Sequence, residues 1–365
     1  MLQDYVTDIR KGVRNLLFNC AGASTGDRVL LAYEPSRLGY FDRDIVRDVS
    51  EHARQLGMSV EAQDVGYSPQ SPGLSGDLLG RLDQFDVVVF LSRLGDQLRF
   101  SNMPEGPKFV ICFTLNSQLL GSSFGTSDYR GFVELKSLVD RHLIAASQIT
   151  LTCPAGTFVE GRAPANTARL EDTSSVRFPL SVFSPVPAAG FSGRVALGGF
   201  LTGTGSRYYE DYTTEFEGQV FAVLEQGRLT GFDGPARDVA LANAQYDRVA
   251  GLFGIDRNFV HSWHAGIHPG CGFPWPLKDN FERWGGSAFG NPRILHFHTC
   301  GAYAPGEISW NTFDPDIDID GTPVWENGHF HPERLPGGAE ILTRYPNVVE
   351  VFEDPDRNIG LNDHI

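Results

Sequence analysis

Three short apolar runs near the start of the chain, RVLLAY (28–33), DVVVFL (86–91) and KFVICFTL (108–115), stand among segments of helical spacing. Each run is apolar almost throughout, with a polar residue at its start, so neither face of such a strand can be left in water. Between them lie an amphipathic segment, RDIVRDVSEHARQL (43–56), closed by Gly57, and a strand-like stretch from Ser59 to Val65. A short helix is expected over 77–85 and a longer one over 129–146, with QITLTC (148–153) as a further strand. Helical spacing also runs from Tyr5 to Cys20. Strands that alternate with helices demand right-handed crossovers and a parallel sheet covered on both sides. No GxGxxG or Walker-type loop follows the first strand, so nucleotide binding is not indicated.

From Gly156 to Pro185 the composition turns to Pro, Gly, Ser and Thr, as at a domain junction. Beyond it come β-like pieces at 194–201, 208–217 and 219–224, the last turning through Glu225-Gln226-Gly227 into 228–230. A helix is expected from Ala236 to Leu252, ending at Gly254, and strands at 293–299 and 308–312. The expected architecture is an α/β N-terminal domain with a parallel sheet (1–155) and an α+β C-terminal domain of mostly antiparallel strands (156–365). At 365 residues the chain is too long for one comfortable core, which agrees with two domains.

The formal charge of −15 argues against nucleic acid or an anionic membrane as the main partner. No apolar run approaches the roughly 18 residues of a spanning helix, and MLQDYVTDIRKGVRNLL lacks the apolar core of a signal peptide. Five scattered cysteines without a CxxC pair point to reduced thiols and a cytoplasmic setting.

Seven of the ten histidines and all five tryptophans lie between His261 and His331. His296 and His298 sit in the strand-like ILHFH, and side chains two apart on a strand share a face. His264 and His268 lie at a Gly/Pro-rich segment, Gly266 to Gly272, which reads as loop, and His329 and His331 are again two apart. Two or three neutral imidazoles suit Zn(II) or Fe(II); the plainer reading is a set of hydrogen-bonded histidines in a wet cleft. DPDIDIDG (314–321) lacks the Gly and Glu of a calcium loop and reads as an edge strand with solvated acids. Cys271 and Cys300 are nucleophile candidates or inert buried thiols. The tryptophans line a pocket or fill a core; Trp263 and Trp310 are taken as the pocket candidates.

NLLFNCAGASTGDRVLLAYEP (15–35) resembles the opening of the aminopeptidase T family of metallopeptidases. The segments Gly266-Ile267, Ile294-Leu295-His296, Asp320-Gly321 and Glu326-Asn327-Gly328 are similar to that family's metal-binding domain. The same superfamily includes the 2,5-dihydroxypyridine 5,6-dioxygenases, which use one Fe(II). The resemblance implies a strand histidine at His296, a catalytic tyrosine at Tyr303, and at His264 a histidine as in the dioxygenases. Three further ligand positions of the peptidases fall on Ser181, Ser309 and Asn311, which are poor ligands for either metal.

The expectation is therefore an enzyme with one divalent ion on His264, His296 and His298, with Tyr303 and His268 as catalytic groups. Trp263, Ser309, Trp310 and Asn311 would line the pocket for a small aromatic or peptide-like substrate, and ordinary aminopeptidase activity is not expected. A metal-free binding protein and a metal-free enzyme using the histidines as general acid and base are the alternatives. A homodimer is the assembly considered.

Overall fold

The computed structural model of the chain describes residues 8–361, apart from 71, 100, 102, 166, 168–174 and 204. The apolar runs become β1 (Arg28–Tyr33), β3 (Val87–Leu91) and β4 (Lys108–Cys112); β2 (Ser59–Asp64) is the more polar strand beside β1. With β7 (Val176–Phe178) they form a five-stranded parallel sheet in the order β2-β1-β3-β4-β7. Alternation sorts their side chains. Val29, Leu31, Val87 and Val89 enter one apolar cluster, while Leu30, Ala32, Val88 and Phe90 enter another on the opposite face. Residues far along the chain complete the first cluster, among them Phe273, Trp284, Ile294 and Ile359.

The remaining strands pair antiparallel. Eight of them are β5 (Ile149–Thr152), β6 (Phe158–Gly161), β9 (Phe191–Ala196), β12 (Phe221–Glu225), β13 (Arg228–Asp233), β17 (Asp316–Ile319), β18 (Thr322–Glu326) and β19 (His329–Phe330). They form one sheet in the order β13-β12-β9-β6-β5-β17-β18-β19. The other six are β8 (Val186–Pro187), β10 (Phe200–Gly203), β11 (Thr213–Glu215), β14 (Val260–Ala265), β15 (Ile294–Thr299) and β16 (Ile308–Phe313). Their sheet runs β11-β10-β16-β15-β14-β8. One large apolar cluster joins the two sheets, with Val195, Ile317 and Trp325 from the first and Trp263, Phe297 and Trp310 from the second. The fold is thus a parallel α/β layer with mostly antiparallel strands beside it, as the patterning implied, but QITLTC, expected in the parallel sheet, pairs antiparallel as β5, and β7, from beyond residue 155, completes the parallel sheet.

Local signals place several elements. The turn between β12 and β13 uses Gln226 and Gly227 at φ 47° and 73°, the left-handed pair that a two-residue hairpin requires. The Ala236–Phe253 helix stops at Gly254, whose φ of 63° suits a residue without a side chain. The N-terminal helix runs from Ile9 to Arg14 and widens into a π-helical turn to Cys20; its expected start at Tyr5 lies outside the described residues. Only Thr213–Glu215 of the 208–217 stretch pairs as a strand. The acidic run corrects the sequence reading more fully. β17 is flanked by β5 and β18, so it is interior, not an edge. Its acids hold turns: Asp320 accepts from the backbone N–H groups of Ser147 and Gln148, and Asp318 from that of Gly321. All five cysteines are buried and outside any disulfide, and burial pushes the thiols of Cys271 and Cys300 up, away from nucleophilic use. Among the described residues no helix is long and apolar enough to cross a membrane.

Candidate metal centre

Register on the six-stranded sheet gathers the site. His264 on β14 lies opposite His296 on β15, and His296 opposite Asn311 on β16. The next row on the same face is Ser262, His298 and Ser309. The intervening row, Trp263, Phe297 and Trp310, must point the other way, and it does so into the core. His264, His296 and His298 each offer a ring nitrogen within 4.8 Å of the other two, and all three are buried.

Hydrogen bonds on the outer nitrogens fix where two of the protons lie. His264 Nδ1 is 3.1 Å from the carbonyl oxygen of Phe183, which can only accept, so Nδ1 carries a proton. His298 Nδ1 is 2.8 Å from Glu307 Oε1. Burial alone would raise the Glu307 carboxyl, but the charge and hydrogen bond of His298, together with Arg99, hold it below its ordinary value. It therefore accepts, and His298 Nδ1 donates. A neutral ring with its proton on Nδ1 carries its lone pair on Nε2, and the two Nε2 atoms face each other at 3.0 Å. Two lone pairs at that distance repel unless a metal ion or a proton lies between them. His296 adds a third nitrogen. Its ring stacks on Phe289 with centroids 4.1 Å apart, and its buried Nδ1 has no hydrogen-bond partner. Burial first, then the neighbouring His264 and His298, push its pKa well below the usual histidine value, so it stays neutral and able to ligate. Orphaned nitrogen, facing lone pairs and outer hydrogen bonds on both flanking rings make this donor set fit a single divalent ion.

The three rings form part of the wall of a cavity of about 100 Å³. Its other walls include Asp96, Arg99, Arg177, Ser181 and Phe289, so it opens between the parallel sheet and the six-stranded one. Arg99 is 3.3 Å from Glu307 Oε2 and 2.8 Å from Asp96 Oδ2, with all three side chains largely buried.

Other residues singled out in the sequence go elsewhere. His268 is fully buried, stacked on Phe132 at 3.9 Å and edge-on to Phe124; burial pushes its pKa down to about 3. It is packing, not part of the cavity wall. Tyr303 is 43% exposed with its ring beside His261, because Cys300 and Gly301, at φ 56° and 103°, turn the chain outward after β15. Trp263 and Trp310 are core residues on the opposite sheet face, the latter donating to the Tyr246 hydroxyl. Ser309 and Asn311 share the histidine face but are sealed beneath it. The Ser309 hydroxyl donates to Asn311 Oδ1 at 3.0 Å, and neither residue lines the cavity. Ser181 does line it.

Glu307 and Arg99 were missed. Glu307 had a faint signal, since it precedes Ser309 by two and so shares the histidine-bearing face; Arg99 had none.

No protein-family model and no curated protein matches the chain. Solved structures do. The 2,5-dihydroxypyridine dioxygenase of Pseudomonas putida KT2440 superposes with a TM-score of 0.59 at 14% identity, over 90% of this chain and 97% of that one. AmpT from Thermus thermophilus matches with a TM-score of 0.44 at 13% identity, over 88% and 98%. The chain has the fold of that dioxygenase.

Proposed function

We propose that this protein is an enzyme that holds one divalent metal ion, Fe(II) or Zn(II), on His264, His296 and His298 and acts on a small aromatic or peptide-like molecule. The observation that carries the reading is the pair of Nε2 atoms facing each other at 3.0 Å, with both Nδ1 protons committed elsewhere. The fold shared with a dioxygenase supports it. A bound ion would supply Lewis acidity and, if it is iron, one-electron exchange.

The protein groups have separable tasks. Phe183 and Glu307 hold the two flanking imidazoles in the tautomer that keeps the lone pair on Nε2. Glu307 also sets a negative charge behind His298, and Arg99 anchors that carboxylate. Phe289 covers one face of His296 and keeps water from it. The positions where the peptidase resemblance places further ligands hold Ser181, Ser309 and Asn311, so those positions offer no carboxylate to bridge a second ion. Release of N-terminal amino acids from ordinary peptides is accordingly not expected.

One observation also favours a metal-free acid–base enzyme. A proton shared between the two Nε2 atoms would relieve the same repulsion, with Glu307 stabilising the resulting imidazolium. Elemental analysis separates the two. About one iron or zinc per chain, in protein purified without metal-affinity resin, is the expected result. No stoichiometric uptake after anaerobic reconstitution with Fe²⁺ or Zn²⁺ would sink the metal reading. A small-molecule partner in a cytoplasmic setting is part of the same proposal.

A further inference from the structure

His298 has a carboxylate on its outer nitrogen; the outer nitrogen of His264 meets a main-chain carbonyl. The peptide unit that supplies this carbonyl is itself gripped from behind. Its C=O, from Phe183, accepts from His264 Nδ1 at 3.1 Å, and its N–H, from Ser184, donates to Asp140 Oδ1 at 2.9 Å. Donor and acceptor are the two ends of one conjugated amide. A carboxylate on the N–H end draws that hydrogen forward and increases the negative charge on the oxygen, which makes the oxygen a stronger acceptor for the imidazole proton. Asp140 is held in place as well. The Ser184 hydroxyl donates to Asp140 Oδ2 at 2.8 Å, and Lys136 Nζ donates to Ser184 Oγ at 2.6 Å and to Asp140 Oδ2 at 2.9 Å. Both Lys136 and Asp140 belong to the Tyr129–Ala145 helix, one turn apart, and both are largely buried. Ser184 is 1% exposed.

We propose that Asp140 is a positioning residue for His264, acting through the Phe183–Ser184 peptide as Glu307 acts directly on His298. The inference rests on the one-metal reading for its functional meaning. The histidine pair is then flanked by a carboxylate on each side, one in contact and one relayed by an amide. Each holds its ring in the tautomer that presents Nε2, and each makes that nitrogen a better donor to an ion. The tight Lys136–Asp140–Ser184 cluster has no other chemical use in the cavity, since none of the three lines it.

The test uses the full chain, Asp140→Asn and Asp140→Ala. The Asn variant keeps an oxygen for the Ser184 N–H and loses the charge. Two readouts are taken: Zn²⁺ affinity by competition with a chromophoric chelator, and the ¹H shift of the His264 Nδ1–H in metal-free, ¹⁵N-histidine-labelled protein. Asp140→Ala is expected to weaken Zn²⁺ roughly 10-fold, and Asp140→Asn by less, as for outer-sphere partners elsewhere. Both variants should move the His264 Nδ1–H upfield and leave that of His298 in place. A merely structural role would not single out one ring. Unchanged affinity and an unmoved His264 signal in Asp140→Asn overturn the proposal while the metal reading stands. If the unaltered chain takes up no Zn²⁺, the metal reading fails, and the His264 signal still decides the relay: moved supports it, unmoved overturns it. Should Asp140→Ala not fold, Asp140→Asn decides the question by the same two measurements.

Discussion

The tripeptide His-Phe-His occurs twice, at 296–298 and at 329–331, and the two copies have different fates. The first lies on β15, between β14 and β16, and its histidines meet a third across the strand. The second begins on β19, a two-residue strand at the end of the eight-stranded sheet, and runs straight into Pro332. There His331 Nδ1 lies 3.1 Å from Glu333 Oε1, with both side chains substantially exposed. The cavity beside that pair, about 220 Å³, shares no lining residue with the one beside the triad. Spacing puts two rings on one face in either case. A third nitrogen, burial and outer hydrogen bonds come only from neighbouring strands, and an edge strand has a neighbour on one side alone.

The widest separation between the copies should come from removing one ring of each. His296→Ala is expected to weaken metal binding by more than about 100-fold, beyond what outer-sphere changes cost, while His329→Ala leaves the metal content unchanged. Metal per chain measured on both variants checks this; equal occupancy would break the comparison. Next in size, Glu307→Gln keeps an acceptor for His298 but removes the charge, so affinity should fall roughly 10–100-fold. Because Arg99 loses one of its two buried carboxylate partners and keeps Asp96, the metal-free variant should also melt at a somewhat lower temperature.

A smaller effect concerns His268, buried without being a ligand. Its folded pKa of about 3 lies below the ordinary histidine value, so between those limits the unfolded chain binds a proton that the native chain does not. Its contribution is complete above about pH 6.5 and is lost as pH falls from there toward 3, by up to about 1.4 kcal/mol per pH unit. His268→Phe should flatten the dependence of unfolding free energy on pH over that window. Denaturant titrations at pH 7 and pH 4.5 measure it, and identical slopes in the two proteins would remove His268 from the account. The smallest change belongs to the outer copy: His331→Ala should alter stability by no more than about 0.5 kcal/mol, as surface substitutions usually do, with metal content intact.

What could be read without the structure follows the reach of each signal. The apolar runs Arg28–Tyr33 and Val87–Leu91 announce a buried parallel sheet because nearly every side chain in them is apolar. Gln226-Gly227 and Gly254 announce their turn and cap because few residues accept those dihedrals. The acids of β17 were misread because alternation reports one strand's own faces and is silent on how many strands flank it. Tyr303 was misplaced for a related reason. Its distance from His296 in sequence is short, but the left-handed turn at Cys300 and Gly301 sends it outward.

The sequence by itself determined the layer types, the hairpin, the cap and the fact that His296 and His298 share a face. All of these depend on periodicities and dihedral limits that act over a few residues. Tertiary structure alone decided which rings meet and in what tautomer. His264 faces His298 across 34 positions, and Arg99 holds Glu307 across 208. Strand register and the packing of one sheet on another bring such residues together, and neither leaves a mark on the residues nearby in the chain.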